Sequence, residues 1–158
     1  MIIAGTGHRP DKLGGYNEEV TKALIKLATE ALTLLDDDQP VEEIISGMAL
    51  GWDQAIAQAA INLEIPFIAA IPFLGQEKKW PESSQEIYRQ LLAKAKTVTI
   101  VSPGGYASWK MEKRNEWMVD NCDEIAALWN GTAGGTANCI SYAASKKKII
   151  HNFWAMWA

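Results

Sequence analysis

Short continuous apolar runs alternate along this chain with longer stretches in which apolar residues recur every three or four positions. The runs at 1–5 (MIIAG), 42–46 (EEIIS), 66–72 (PFIAAIP), 97–101 (TVTIV), 124–129 (EIAALW) and 148–154 (KIIHNFW) predict strands. Helices are predicted over 17–36, 53–63, 82–95, 110–121 and 136–145. In the first of these, Val20, Leu24, Leu27, Ala28, Ala31, Leu32 and Leu35 fall on one face, and Asn17 stands where an N-cap belongs. In the fourth, Met111, Arg114, Trp117, Met118 and Asn121 share a face. Strands that are apolar throughout are buried on both sides, and strands separated by helices pair in parallel. The pattern therefore predicts an α/β fold: a Rossmann-like parallel sheet with helices on both faces, in a single domain over 1–158. The acidic stretch DDDQP at 36–40 reads as a linker, and the lysines at 146–148 follow a helix end, where cations complement the dipole.

Composition narrows the partners. The 158 residues are 48% apolar and 22% charged, with a net charge of −4. That balance makes extended nucleic acid an improbable partner, since such proteins carry a basic excess. A small phosphorylated ligand needs only a local positive pocket. Cys122 and Cys139 match no metal-ligand spacing. The N-terminal MIIAGTGHRP has no basic n-region, and no apolar stretch approaches the ~20 residues of a bilayer span. These features predict a cytoplasmic, reduced protein with no membrane contact, and no cofactor or metal is expected. Seven tryptophans are many for this length. Core and interface packing accounts for most of them, leaving one or two that could stack on a base.

Parallel sheets gather ligands outside the carboxyl ends of their strands. Glycine clusters lie at four of those ends: GTGHRP, SGMALGWD, SPGGY and NGTAGGT. Glycine lets backbone amides approach an anion, and a helix N-terminus adds partial positive charge. In the first loop Gly5 and Gly7 allow a tight turn, Thr6 offers a hydroxyl, and His8 and Arg9 offer donors. Arg9 suits phosphate because its fork grips two oxygens, although pairing with a neighbouring acid is the simpler alternative. His8 either meets the ligand or holds the loop. In the second loop Ser46, Gly47 and Gly51 precede a helix. Asp53 either caps that helix or accepts hydrogen bonds from a ribose or base. Gly134, Gly135 and Thr136 open the last predicted helix and form the best phosphate seat in the chain. The stretches 79–81 and 104–115 could form a lid or stacking wall, with Arg114 and Asn115 facing the ligand and Asp120 orienting Arg114 or standing in solvent.

The motifs GTGHRP, SGMALGWDQAIAQAA and RNEWMVDNCDEIAALWNGTAGGTANCISYA, in this order, resemble the YpsA-like branch of the SLOG superfamily across nearly the whole chain. The second motif also resembles the DNA-processing protein A family. The resemblance implies a Rossmann-like fold and a nucleotide or nucleotide-derived ligand over the loops just described, in a superfamily some of whose ligands are signals in bacterial and phage conflict systems. The last motif is also similar to the PGGxGTxxE stretch of the lonely guy phosphoribohydrolases and to GTAxEIGYA of nucleoside 2-deoxyribosyltransferases. In both, a glutamate three residues after the threonine acts at the sugar; here that position is Cys139. A neutral thiol cannot supply the carboxylate's charge. Binding of the ligand, for sensing or sequestration, is therefore expected, with no catalytic residue assigned. The alternatives are an N-glycosidase, phosphoribohydrolase or 2-deoxyribosyltransferase using a displaced carboxylate, and single-stranded DNA binding. A homodimer or higher homo-oligomer is expected.

Overall fold

Six strands form one sheet, paired in parallel throughout, in a computed structural model describing residues 1–158. They are β1 (Ile2–Gly7), β2 (Glu43–Ser46), β3 (Phe67–Ile71), β4 (Thr97–Ile100), β5 (Glu124–Leu128) and β6 (Ile149–Asn152). Their order across the sheet is β4-β3-β2-β1-β5-β6. The helices are α1 (Glu18–Asp38), α2 (Trp52–Asn62), α3 (Glu82–Ala93), α4 (Trp109–Asp120), α5 (Gly135–Ser145) and α6 (Trp154–Trp157), and a short 3-10 turn covers Pro10–Lys12.

Alternation along the strands sends neighbouring residues to opposite faces. Ile3, Ile44 and Phe67 join the core beneath α1, α2 and α3. Ala4, Ile45 and Ile125 join Met118, Val119 and Cys139 beneath α4 and α5. The Rossmann-like α/β architecture is thus the one the apolar runs call for. No helix is long and apolar enough to cross a membrane.

Three expectations are corrected. The expected strand at 97–101 is not buried on both faces: Thr97, Val98 and Ile100 are exposed, because β4 is an edge strand. The expected final strand at 148–154 stops at Asn152. The Asn152 amide exchanges hydrogen bonds with the backbone of Trp129 and its Oδ1 also accepts from the Trp154 N–H, so the side chain ends the pairing and turns the chain into α6. The acidic stretch read as a linker is largely helix, since α1 runs to Asp38 and the Asp36 carboxylate accepts the Val41 N–H at 2.8 Å. Asn17 does cap α1, through Val20 N–H at 2.9 Å.

The contact that fixes α2 to the sheet is made by Trp52. Its side chain is fully buried and lies on Gly7, where a Cβ would come within 2.5 Å of the indole. The indole N–H donates to Ala126 O at 3.1 Å, and the Trp52 backbone N–H donates to His8 O at 3.2 Å. Gly51 caps the helix at φ 94°, ψ −128°, in the left-handed half of backbone space, and a Cβ there would meet His8 O at 2.5 Å. We expect Gly51→Ala to destabilise the fold by about 2 kcal/mol or more, since strain and a backbone clash act together. Urea unfolding checks this; an unchanged midpoint would mean that the β1 and β2 loops can separate without loss.

Candidate functional site

The chain leaves β1 for β2 on one side, while β5 returns on the other. Loops diverge at such a switch and leave a crevice. Here it is a cavity of about 300 Å³ above β1, lined by the loops after β1, β2 and β5 and by α4.

Basic groups line this cavity. Arg9 is exposed and its side chain forms no ion pair or hydrogen bond within the chain, so the simpler reading of it as a neighbour's partner is not what the structure shows. Lys12 lines the same cavity and donates to Thr132 Oγ1 at 2.9 Å and to Ala133 O at 3.4 Å, tying the loop after β5 to the turn after β1. Gly135 and Thr136 open α5 and face the cavity. No side chain caps this helix, and its first internal hydrogen bond is Asn138 N–H to Gly134 O, so the three preceding amides have no helical acceptor. Space around Gly135 is open, with nothing within 4 Å of a Cβ.

The cavity also holds two buried charges, and Arg9 is within electrostatic reach of both. Asp53 is 8% exposed and Arg114 is 5% exposed, and both line the cavity. The two form no ion pair. Arg114 instead donates from Nη1 to Gly47 O at 2.5 Å and from Nε to Asn115 Oδ1 at 2.9 Å. Burial raises the Asp53 carboxyl to about 6, against the opposing pull of the Arg114 guanidinium, the Ala49 amide and Arg9. Burial likewise lowers Arg114, with Asp53 restoring part of that shift. Asp53 does not cap α2; Gly51 does, without a side-chain bond.

His8, also in the cavity lining, is buried and neutral in preference to charged. Burial lowers its pKa, the Asn130 hydrogen bond opposes this, and Lys12 lowers it further. Its Nε2 lies 3.0 Å from Asn130 N and 2.8 Å from Asn130 Oδ1. That one ring nitrogen meets both the backbone N–H and the Oδ1 of Asn130, and Oδ1 also accepts from the amide and hydroxyl of Thr132. His8 thus stiffens the loop leading to α5. Thr6 lines the cavity, and burial pushes the Cys139 thiol up to about 11 against the opposing influence of Thr6. That thiol is neutral and packed, whereas a reactive cysteine needs a lowered pKa.

Nine residues singled out in the sequence therefore come together: Thr6, Gly7, His8, Arg9, Asp53, Arg114, Asn115, Gly135 and Thr136. Five do not line the cavity, and packing explains each. Gly5 leaves room for Ile56, which a Cβ would meet at 2.9 Å, and Gly47 leaves room for the Arg114 guanidinium at 2.6 Å. Gly51 accommodates His8 O, and Gly134 sits at φ 143° as the α5 cap. The Ser46 hydroxyl donates to Asp53 O at 2.6 Å and accepts the Met48 N–H, fixing the loop that aims Asp53.

No tryptophan lines the cavity. Trp52 is core, Trp80 stands edge-on to Tyr88, and Trp154 and Trp157 pack against the first core. The glycine loop after β4 does not form a lid over the cavity; it folds around Lys110, whose Nζ donates to Pro103 O and Gly105 O, both at 2.6 Å. Asp120 does not orient Arg114 but accepts the Tyr142 hydroxyl at 2.8 Å. Sequence reasoning missed Asp11, Lys12, Ala49 and Met111, which also line the cavity. Lys12 was within reach: it lies three residues past Arg9, one turn of 3-10 helix begun by Pro10.

A family model described as the YspA SLOG family matches residues 3–156. The SPbeta prophage-derived protein YoqJ of Bacillus subtilis is 31% identical over 152 residues, spanning 84% of this chain and 88% of that one. A UPF0398 protein of Lysinibacillus sphaericus is 26% identical over 155 residues, spanning 94% of this chain and 87% of its own. Among solved structures, DNA processing protein A of Helicobacter pylori, described by its single-stranded DNA binding mode, superposes with a TM-score of 0.66 at 16% identity, over 95% of this chain and 63% of that one. The Streptococcus pneumoniae protein of the same name gives 0.64 at 17% identity, and this chain spans 48% of its length. The molybdenum cofactor carrier protein of Chlamydomonas reinhardtii gives 0.58 at 14%, over 94% of this chain and 73% of that one. At these identities the structural likeness is one of fold.

Asp53 couples the site to stability. Folded, its carboxyl keeps a proton up to about pH 6, whereas the unfolded chain loses it near 3.8. Between those values the folded state binds more protons, so stability falls as pH rises. The full penalty, up to about 3 kcal/mol at 1.36 kcal/mol per unit, is present above pH 6. We expect Asp53→Asn to melt higher than the parent at pH 7.5, with the gap closing as pH falls towards 4; thermal melts across that range check it.

Proposed function

This chain belongs to the YspA SLOG family, and on that premise we propose that it binds a nucleotide or nucleotide-derived ligand at the carboxyl edge of its sheet. One observation carries the reading: Arg9, Lys12 and the opening amides of α5 face one cavity, and Arg9 has no acidic partner. A guanidinium free to fork onto two oxygens, an ammonium and a helix N-terminus together make a seat for a phosphate. The cavity's volume of about 300 Å³ sits at the lower end of small-ligand pockets, which suits a single nucleotide better than a strand. The net charge of −4 weighs the same way, although a fold neighbour is described by its single-stranded DNA binding.

Retention without turnover is the reading favoured here. The position that would carry a catalytic glutamate holds Cys139, a buried thiol that burial keeps neutral. One fold neighbour is described as a molybdenum cofactor carrier protein, in keeping with such a role. The test is to titrate the protein with nucleoside mono- and diphosphates and cyclic dinucleotides by calorimetry, then denature it and chromatograph the ligand. Intact ligand supports binding; free base would instead assign an N-glycosidase.

Arg9→Ala and Gly135→Val are each expected to weaken a bound phosphorylated ligand by about tenfold or more, with melting temperatures near that of the parent. The first removes an exposed side chain; the second fills open space over the helix amides. Unaltered affinity in both variants would place the ligand elsewhere.

A further inference from the structure

We infer that Asp53, Arg114 and Asn115, which line the cavity together, read the hydrogen-bonding edge of a guanine base, which makes the ligand a guanine nucleotide. The inference rests on the binding function proposed above and names the ligand class that the same cavity would select.

Two oppositely charged groups are buried side by side without an ion pair. Buried charges are ordinarily paired, because an unpaired one gives up its hydration for nothing. The Asp53 carboxylate accepts no hydrogen bond of full geometry within the chain, with only the Ala49 amide turned towards it. On Arg114, Nε and Nη1 are engaged and Nη2 has no partner. Every side-chain nitrogen or oxygen sealed from solvent does have a partner, so the free atoms of these two residues are those open to the cavity. Asn115 spends its Oδ1 on Arg114 Nε, which leaves its Nδ2 as a donor beside them. The floor therefore presents an acceptor carboxylate next to two donors.

A planar carboxylate accepts two parallel N–H bonds. Guanine is the base with two adjacent donors, N1–H and the 2-amino group, and it carries acceptors at O6 and N7 on the neighbouring edge. Asp53 fits the first pair, and Arg114 with Asn115 fits the second. Adenine would turn the lone pair of N1 against the carboxylate, and uracil flanks its single N–H with carbonyl oxygens. The two apolar lining residues, Ala49, whose amide is turned towards Asp53, and Met111, three residues before Arg114 on α4, offer contact to the faces of a ring. Arg9, Lys12 and the α5 amides supply the phosphate seat in the same cavity. An amino acid phosphate would also satisfy the two charges, but it leaves Ala49 and Met111 without a partner and much of the roughly 300 Å³ empty.

The test is calorimetric titration with GMP, IMP, AMP and XMP, with inorganic pyrophosphate and O-phosphoserine alongside. GMP should bind at least about tenfold tighter than AMP, with IMP, which lacks the 2-amino group, between them. Asp53→Asn places an amide against position 2 of the base, where xanthine has a carbonyl. It should therefore lower affinity for GMP and raise it for XMP, a gain that a merely unfolded variant would not produce. Equal affinity for GMP and AMP, or an Asp53→Asn variant that weakens all four nucleotides alike, would overturn the guanine assignment while leaving nucleotide binding intact. O-phosphoserine binding tighter than GMP would also overturn it. No binding of any nucleotide or of pyrophosphate would overturn the underlying function instead.

Discussion

The indole of Trp52 resting on the bare backbone of Gly7 is the contact from which the site is built. A tryptophan is the largest apolar side chain, and full burial contributes several kcal/mol to the fold. Here it can be buried only because β1 ends in a residue without a side chain. The same contact draws the first turn of α2 onto the β1 loop, where Gly51 lets the two backbones touch. Asp53 is the next residue after Trp52, so its position is set by the core. Removing the carboxylate from water is expensive, and a surface loop would let it escape; a residue following a locked tryptophan has no such freedom.

Arg114 reaches the same cavity by a different route. It comes from α4, on the other face of the sheet, and is steered by the carbonyl of Gly47 and the side chain of Asn115. Gly47 has no Cβ for the reason Gly7 has none: a large side chain occupies the space. Core packing on both faces thus converges on one point and holds opposite charges near each other but apart. Burial accordingly raises the acid towards neutrality and lowers the arginine. Groups perturbed in this way concentrate at functional sites.

Much of this was legible in the sequence, though not the reasons for it. Parallel pairing followed from apolar runs alternating with helical stretches, and the strand edge gathered the glycine loops after β1, β2 and β5. The fourth glycine loop failed the same logic because β4 lies at the sheet's edge, two strands from β2, a position no local pattern encodes. Glycine's roles were the commoner error. Read as freed amides, Gly5, Gly47 and Gly51 prove to be room left for Ile56, Arg114 and the His8 carbonyl. Only three-dimensional packing separates a glycine that approaches a ligand from one that admits a neighbour. Lys12 escaped notice because its relevance depends on Thr132, 120 positions away.

Position 139 joins these strands of reasoning. A glutamate there would enter a space already within electrostatic reach of Asp53 and Arg114, which both influence the thiol. Two carboxylates sharing a buried site cannot both ionise readily. With Asp53 fixed by Trp52, the neutral, compact cysteine adds no second carboxylate to compete with it for charge. The side chain absent at 139 and the one present at 53 are therefore two halves of one electrostatic arrangement. A glutamate at 139 would set two carboxylates in competition within one buried site.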